Sequence, residues 1–280
     1  MTHLPALLLP LLVCAAPATR PDIDAACRGL AARWQARFEA ESLHCVVWPP
    51  FVIAGDGGPA RIAAYRDRTI LAAANALWAT FFDRRPSEPI LILLFEGKDN
   101  YRRLAKEWFK DEDPPHFGYF RHDNIMVMNV GTGTGTLVHE LVHALLRPDF
   151  PDAPSWFNEG LASLYEQCSL AGGKIRGLEN WRLPALQDAI RKDKLRPLEA
   201  LIGDPRFYRA DLVGTNYAQA RYLMFYLQEK GKLVEYYRAF RAAAGQDPTG
   251  LEALKKIIAP QTLEQFEKDW RAWVLTLRFG

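Results

Sequence analysis

The sequence predicts an α+β protein of 280 residues: an α/β half with a small mixed sheet over residues 19–133, a helical half over residues 134–280, and a chemistry-bearing helix where the two meet. Three observations point there. Residues 90–95 (ILILLF) form a short aliphatic run bounded by Pro89 and Gly97, the mark of a strand buried on both faces. Residues 118–130 (GYFRHDNIMVMNV) read as a hairpin turning at Asp123 and Asn124. From Thr134 onward apolar residues recur at helical intervals, so that half reads as helical throughout.

In chain order, residues 4–13 (LPALLLPLLV) are an apolar run of about ten residues followed by the small residues Ala15, Ala16 and Ala18, the layout of a secretory signal. The run is too short for a membrane span, which needs roughly 20 apolar residues, and Pro5 and Pro10 weaken a helical anchor. Cleavage near Ala18 makes residues 1–18 the signal and the mature chain secreted or periplasmic, with no transmembrane anchor expected. Two alternatives stand beside this reading. One is a buried N-terminal helix, since no Lys or Arg precedes the run; the other is a lipid anchor through Cys14, although Val13 occupies a place where such signals carry a small residue.

Ile23, Ala26, Leu30, Trp34 and Phe38 then recur at three or four, predicting an amphipathic helix over residues 22–41. A short strand follows over 44–54 (HCVVWPPFVIA), then a helix over 59–82, the strand at 90–95, a helix over 101–109 and a loop over 111–118 that leads into the hairpin. Beyond it helices are expected over 137–146, 156–168, 183–191, 218–229, 233–243 and, after the cap Thr262, 263–277. No Pro or Gly/Ser linker separates the halves near residue 133, so they are expected to share an interface and not to fold alone.

The charge balance, 35 Lys plus Arg against 33 Asp plus Glu, leaves a formal charge of +2 and no run of five like charges. That removes the electrostatic footprint a nucleic acid or an anionic membrane surface requires. Loss of the signal leaves Cys27, Cys45 and Cys168, an odd number. A Cys27–Cys45 bridge conflicts with the first helix, whose end lies about 21 Å from Cys27, because four extended residues return at most about 14 Å. Buried small hydrophobes are the expected role of these thiols.

The chemistry sits in residues 139–143, His-Glu-Leu-Val-His, inside an apolar helical segment. At 100° per residue, two histidines four apart lie about 40° apart around a helix and about 6 Å along it, so His139 and His143 can both reach one ion. Glu140, one residue off that line, can take a proton from a water on the metal without ligating it. Chance alone yields this five-residue pattern in about one protein of this size in a hundred, so a third ligand is the test. Burying His, Glu and His together without a metal would leave polar groups seeking partners.

Downstream, residues 155–166 read SWFNEGLASLYE, with Glu159 sixteen residues beyond His143 near the start of a second helix. H-E-x-x-H followed by W-F-N-E-G-L-A resembles the gluzincin zinc metallopeptidases, most closely the peptidase MA-like group of bacterial secreted proteins and more distantly the M1 aminopeptidases. The resemblance implies a zincin-like fold, Zn2+ held by His139, His143 and Glu159, Glu140 as general base, and a peptide or protein substrate. Asp149 is the rival third ligand, at the metzincin position, but Leu146 stands where that arrangement needs a turning glycine. Asn158 reads as shaping the start of that helix, while Ser163 and Glu166 lie on the Glu159 face by helical spacing, so either can orient a ligand histidine; all three can equally be cap or surface residues.

The same resemblance implies that Tyr217, 58 residues after Glu159, stabilises the developing oxyanion. Tyr222 and Tyr226 in the same helix read as core. His116 and His122 flank the hairpin and could touch substrate, and either 118–121 or 125–130 could be the sheet edge that binds extended peptide. GTGTGT at 131–136 lacks the ending of a phosphate loop and reads as a turn, with Thr134 or Thr136 capping the metal helix. No G-x-M-E-N strand is present, so nothing points to an amine-binding exopeptidase site. The expected function is zinc-dependent peptide hydrolysis by Glu140-assisted attack of zinc-bound water; the alternative is an exported binding module that holds zinc without turnover.

Overall fold

The computed structural model describes residues 22–280; the expected signal at 1–18 and Cys14 lie outside the described residues. The chain opens with α1 (Ile23–Ala40), whose first-turn N–H groups of Asp24 and Ala25 donate to the Asp22 side chain, a cap set by a short acidic residue. α1 buries Cys27, Trp34 and Phe38. The single strand expected over 44–54 is in fact two, β1 (His44–Trp48) and β2 (Phe51–Gly55), paired antiparallel. Pro49 and Pro50 have no N–H to give a ladder, so the strand breaks and turns there.

The next helical run is continuous but not uniform: α2 (Gly58–Tyr65) passes through a π-helical turn (Arg66–Leu71) into α3 (Ala72–Thr80). Then come β3 (Ile90–Phe95), α4 (Lys98–Phe109), β4 (Gly118–Phe120) and β5 (Ile125–Asn129). The sheet order is β1-β2-β3-β5-β4, with β2, β3 and β5 parallel and an antiparallel strand at each edge. The small mixed sheet is therefore present. Of the two candidate edge segments, β4 is the edge and β5 lies inside.

Alternation along the strands feeds two cores. Val52, Ala54, Leu91, Leu93, Phe95 and Val127 face the layer of α1 and α4, while Phe51, Ile53, Ile92, Leu94, Met126 and Met128 face the larger core on the other side. That larger core continues through the second half as far as Val274, so no break in packing occurs at residue 133.

The second half comprises α5 (Gly135–Asp149), α6 (Ser155–Leu164), β6 (Cys168–Ala171), β7 (Lys174–Gly177), α7 (Leu183–Arg191), α8 (Leu198–Ile202), α9 (Val213–Glu229), α10 (Leu233–Ala243), α11 (Leu251–Ile258) and α12 (Leu263–Thr276). It is not helical throughout. The helix expected over 156–168 stops at Leu164 and gives way to a two-stranded hairpin. Gly172 and Gly173 both have positive φ at its tip, the conformation that a two-residue hairpin turn demands. Thr262 caps α12 as expected, its hydroxyl accepting from the Gln265 N–H. The described cysteines Cys27, Cys45 and Cys168 are all free. No helix among the described residues is long and apolar enough to cross a membrane.

Candidate metal centre

α5 is held by burial of Leu137, Val138, Leu141, Val142, Leu145 and Leu146. Thr134 stands at its N-cap position, but neither Thr134 nor Thr136 caps it with a side chain. Gly135 is required instead, because a Cβ there would overlap the carbonyl oxygen of Glu166. This close approach locks the start of α5 against the turn that follows α6. The two helices thereby bring His139, His143 and Glu159 together, all three largely buried.

The three ligand atoms form a nearly equilateral triangle. His139 Nε2 lies 3.0 Å from His143 Nε2, and Glu159 Oε2 lies 3.3 Å from the first and 3.5 Å from the second. Ligands at the usual zinc distances in a tetrahedron are about 3.3 Å apart. The outer atoms of each ligand are engaged elsewhere. His143 Nδ1 meets Asn158 Oδ1 at 2.7 Å, and His139 Nδ1 faces Glu166 Oε1 at 3.3 Å. Asn158 places the His143 proton on Nδ1, and the Glu166 carboxylate at ion-pair distance favours the same for His139, although that pair makes no aligned hydrogen bond, so both Nε2 lone pairs point into the triangle. Glu159 Oε1 accepts from the Tyr208 hydroxyl at 2.7 Å, while Oε2 is buried and has no hydrogen-bond donor. Two imidazole lone pairs and an unpartnered carboxylate oxygen facing one point fit a cation there.

The electrostatics agree. Burial opposes protonation of His139, but Glu159, Glu166 and Glu140 more than reverse this and raise its pKa to about 10, the signature of a site that seeks positive charge. Burial likewise works against ionisation of Glu159, yet the two histidines hold it well below the usual carboxylate range. Glu140 is different: burial pushes it upward, against the pull of His139 and His143 and of the Phe120 N–H. A base raised toward neutral pH is better matched to taking up and returning a proton.

The remaining candidates divide. Asn158 and Glu166 each reach a ligand histidine; Ser163 is buried but makes no hydrogen bond to either. Glu166 is itself fixed by both oxygens to Arg182, at 2.8 and 3.1 Å. Asp149 is not near the triangle. Its buried carboxylate accepts from Tyr237, Arg241 and the backbone N–H groups of Asp83 and Arg84, tying the segment after α3 to α5 and α10. Tyr217 borders the same cavity as the triangle, its ring packed on Phe207 at 5.2 Å. Burial and the nearby Glu159 charge keep its phenol protonated. Tyr222 and Tyr226 are core residues. His122 borders the cavity and accepts from Arg147 at 3.2 Å through its carbonyl, whereas His116 stacks edge-on against Phe117.

Two contributors escape the sequence. Tyr208 belongs to the irregular segment between α8 and α9, where no periodicity marks it. It is aimed by its neighbour: Phe207 is buried and its carbonyl accepts from the Asn216 side chain at 2.7 Å, which turns Tyr208 out across the cleft. Arg182, just before α7, has no motif signal either. The cavity over the triangle measures about 480 Å³ and is bordered by Glu140, Tyr208, Tyr217 and the edge strand β4.

That edge is free. The Asn129 N–H donates to Phe117 and the Arg121 N–H to the Ile125 carbonyl, so by alternation the backbone groups of Gly118 and Phe120 point away from β5. β4 and α5 run side by side, with Phe120 beside Glu140 and His122 beside Arg147.

No curated protein matches the chain. Residues 133–249, which carry both ligand helices, Glu140, Tyr208 and Tyr217, match a family described as a protein of unknown function (DUF1570).

Proposed function

We propose that the protein is a zinc metallopeptidase of the gluzincin type with a zincin-like fold, exported to the periplasm or beyond, acting on peptide or protein substrates. The observation that carries this reading is the triangle of His139 Nε2, His143 Nε2 and Glu159 Oε2 with Glu140 beside it in an open cavity. A site built only to hold a metal for stability closes all four positions with protein ligands. Here there are three, and a free sheet edge runs past them.

His139, His143 and Glu159 would hold the ion, oriented by Glu166, Asn158 and Tyr208. When bound, zinc supplies a Lewis acid and makes water acidic near neutral pH. The outward N–H and carbonyl of Gly118 and the carbonyl of Phe120 pair with an extended peptide and align its scissile bond over the triangle. Glu140 accepts the proton of the attacking water on its carboxylate and returns it to the departing amine. The Tyr217 phenol, held protonated, donates to the oxygen that gains negative charge.

The test is mass-spectrometric cleavage of a diverse peptide library by zinc-loaded protein, with Glu140→Gln in parallel. Cleavage should fall by a factor of about a hundred to ten thousand in the variant while its zinc content stays at one per chain. Unchanged turnover in Glu140→Gln would remove the mechanism, and a folded, zinc-replete wild type that cuts nothing would favour the binding-module reading.

A further inference from the structure

A second cavity, about 540 Å³, lies at the other end of β4, at the start of α5, and contains none of the metal-ligating atoms. It is bordered by Phe117, Thr134, Gly135, Trp181 and Arg182, with Arg68 at the rim. Phe117 and Trp181 are among the few large apolar side chains left exposed, at 48% and 59%, and both stand on this one cavity. Aromatic surface held open in a concave site is surface kept for a ligand.

The wall is rigid and joined to the metal site. The Arg182 guanidinium stacks on the Trp181 ring at 4.0 Å, grips Glu166 with two hydrogen bonds, and lies 5.1 Å from the ring of Tyr217. Glu166 faces His139, and Tyr217 borders the cavity over the triangle. Arg182 is therefore the partition between the two cavities and braces an indole that stays exposed. Across from it, Phe117 is held edge-on by His116 at 4.6 Å and immediately precedes the free edge of β4. From Phe117 to His122 the edge runs about 17 Å, room for roughly five extended residues.

Resting on the peptidase reading above, we propose that this cavity is a side-chain subsite for an aromatic residue of an extended polypeptide lying along β4, and that the bound segment is an interior stretch of chain passing the metal on both sides. The aromatic side chain sits between Phe117 and Trp181; the backbone continues along Gly118 and Phe120 into the cavity that holds the triangle.

Binding is measured calorimetrically with the full, zinc-loaded chain carrying Glu140→Gln, so that the readout does not depend on turnover. The probes are N-acetylated, C-amidated decapeptides in which one Phe is moved through an alanine-rich background, with Glu at the same positions as control. One position of Phe should tighten binding about tenfold over Ala. Trp181→Ala and Phe117→Ala should each remove most of that gain, and Trp181→Phe should restore it. If the wild type cleaves, Trp181→Ala should erase a preference on one side of the cut only. A preference that follows Glu, a gain indifferent to both alanine variants, or binding that requires a free terminus would overturn the proposal. A wild type that binds with this pattern but never cleaves would leave the subsite standing and remove the peptidase reading.

Discussion

Two clusters of buried acid sit at opposite ends of one stretch of chain, and they are built on opposite principles. At the end of α5, Asp149 is answered in full: Tyr237, Arg241 and two backbone N–H groups all donate to it. In α6, ten residues further on, Glu159 has one oxygen held by Tyr208 and the other facing the two imidazole nitrogens of α5 with no hydrogen-bond donor. The first cluster is closed by the protein's own cations and welds helices together. The second is left short of positive charge at one point, which is what a metal site looks like and what a structural site avoids.

The sharpest way to break the contrast is to remove each carboxylate. Asp149→Ala should cost about 3–5 kcal/mol, because Arg241 and Tyr237 lose their buried partner, and should leave zinc stoichiometry intact in the fraction that folds. Glu159→Ala should do the reverse: zinc affinity falls by more than about a hundredfold, while the urea midpoint of chelator-treated protein barely moves. If Asp149→Ala loses zinc or Glu159→Ala keeps it, the two clusters have been assigned the wrong way round.

A smaller effect tests the outer support. Burial pushes the Glu166 carboxyl up, but His139 and Arg182 pull it further the other way, to about 2. A carboxyl depressed on folding adds stability that is complete above its unfolded pKa of about 4.5 and is lost as pH falls from there through about 2. Chelator-treated protein should therefore lose about 2 kcal/mol between about pH 6 and about pH 3 from this group, and Glu166→Gln should flatten that part of the pH profile in urea titrations. The smallest effect is Tyr208→Phe, which should weaken zinc about tenfold in competition with a chelator and shift the visible spectrum of the cobalt-substituted protein, leaving stability unchanged. An unaltered spectrum and affinity would make Tyr208 a bystander.

The chain segments whose pattern is local were legible. The 139–143 helix declares itself by its helical period, the strand at 90–95 by an unbroken aliphatic run between Pro89 and Gly97, and the hairpin at 118–130 by its turn at Asp123 and Asn124. Local reading also went astray locally: Gly172-Gly173 is a hairpin signal inside what was read as a helical half, and Pro49-Pro50 marks a turn inside what was read as one strand. Asp149, a rival ligand by spacing, could be dismissed only when Tyr237 and Arg241, some ninety residues later, were seen to claim it.

The amino-acid sequence by itself determined the α+β character and placed two histidines on one face of α5, with Glu140 one residue off it, because helical geometry fixes neighbours four residues apart. The third ligand came by resemblance, and the tertiary structure measured the triangle. What only the tertiary structure decided was the surroundings: that Glu166 and Asn158 hold the imidazoles, that Tyr208 holds Glu159, that β4 is the open edge, and that Phe117 meets Trp181 across a cavity. Those partners come from different elements and from the irregular segments around Tyr208, Trp181 and Phe117, where no period links them, and their meeting is fixed by burial of Phe207, the close approach at Gly135 and the packing of the shared core.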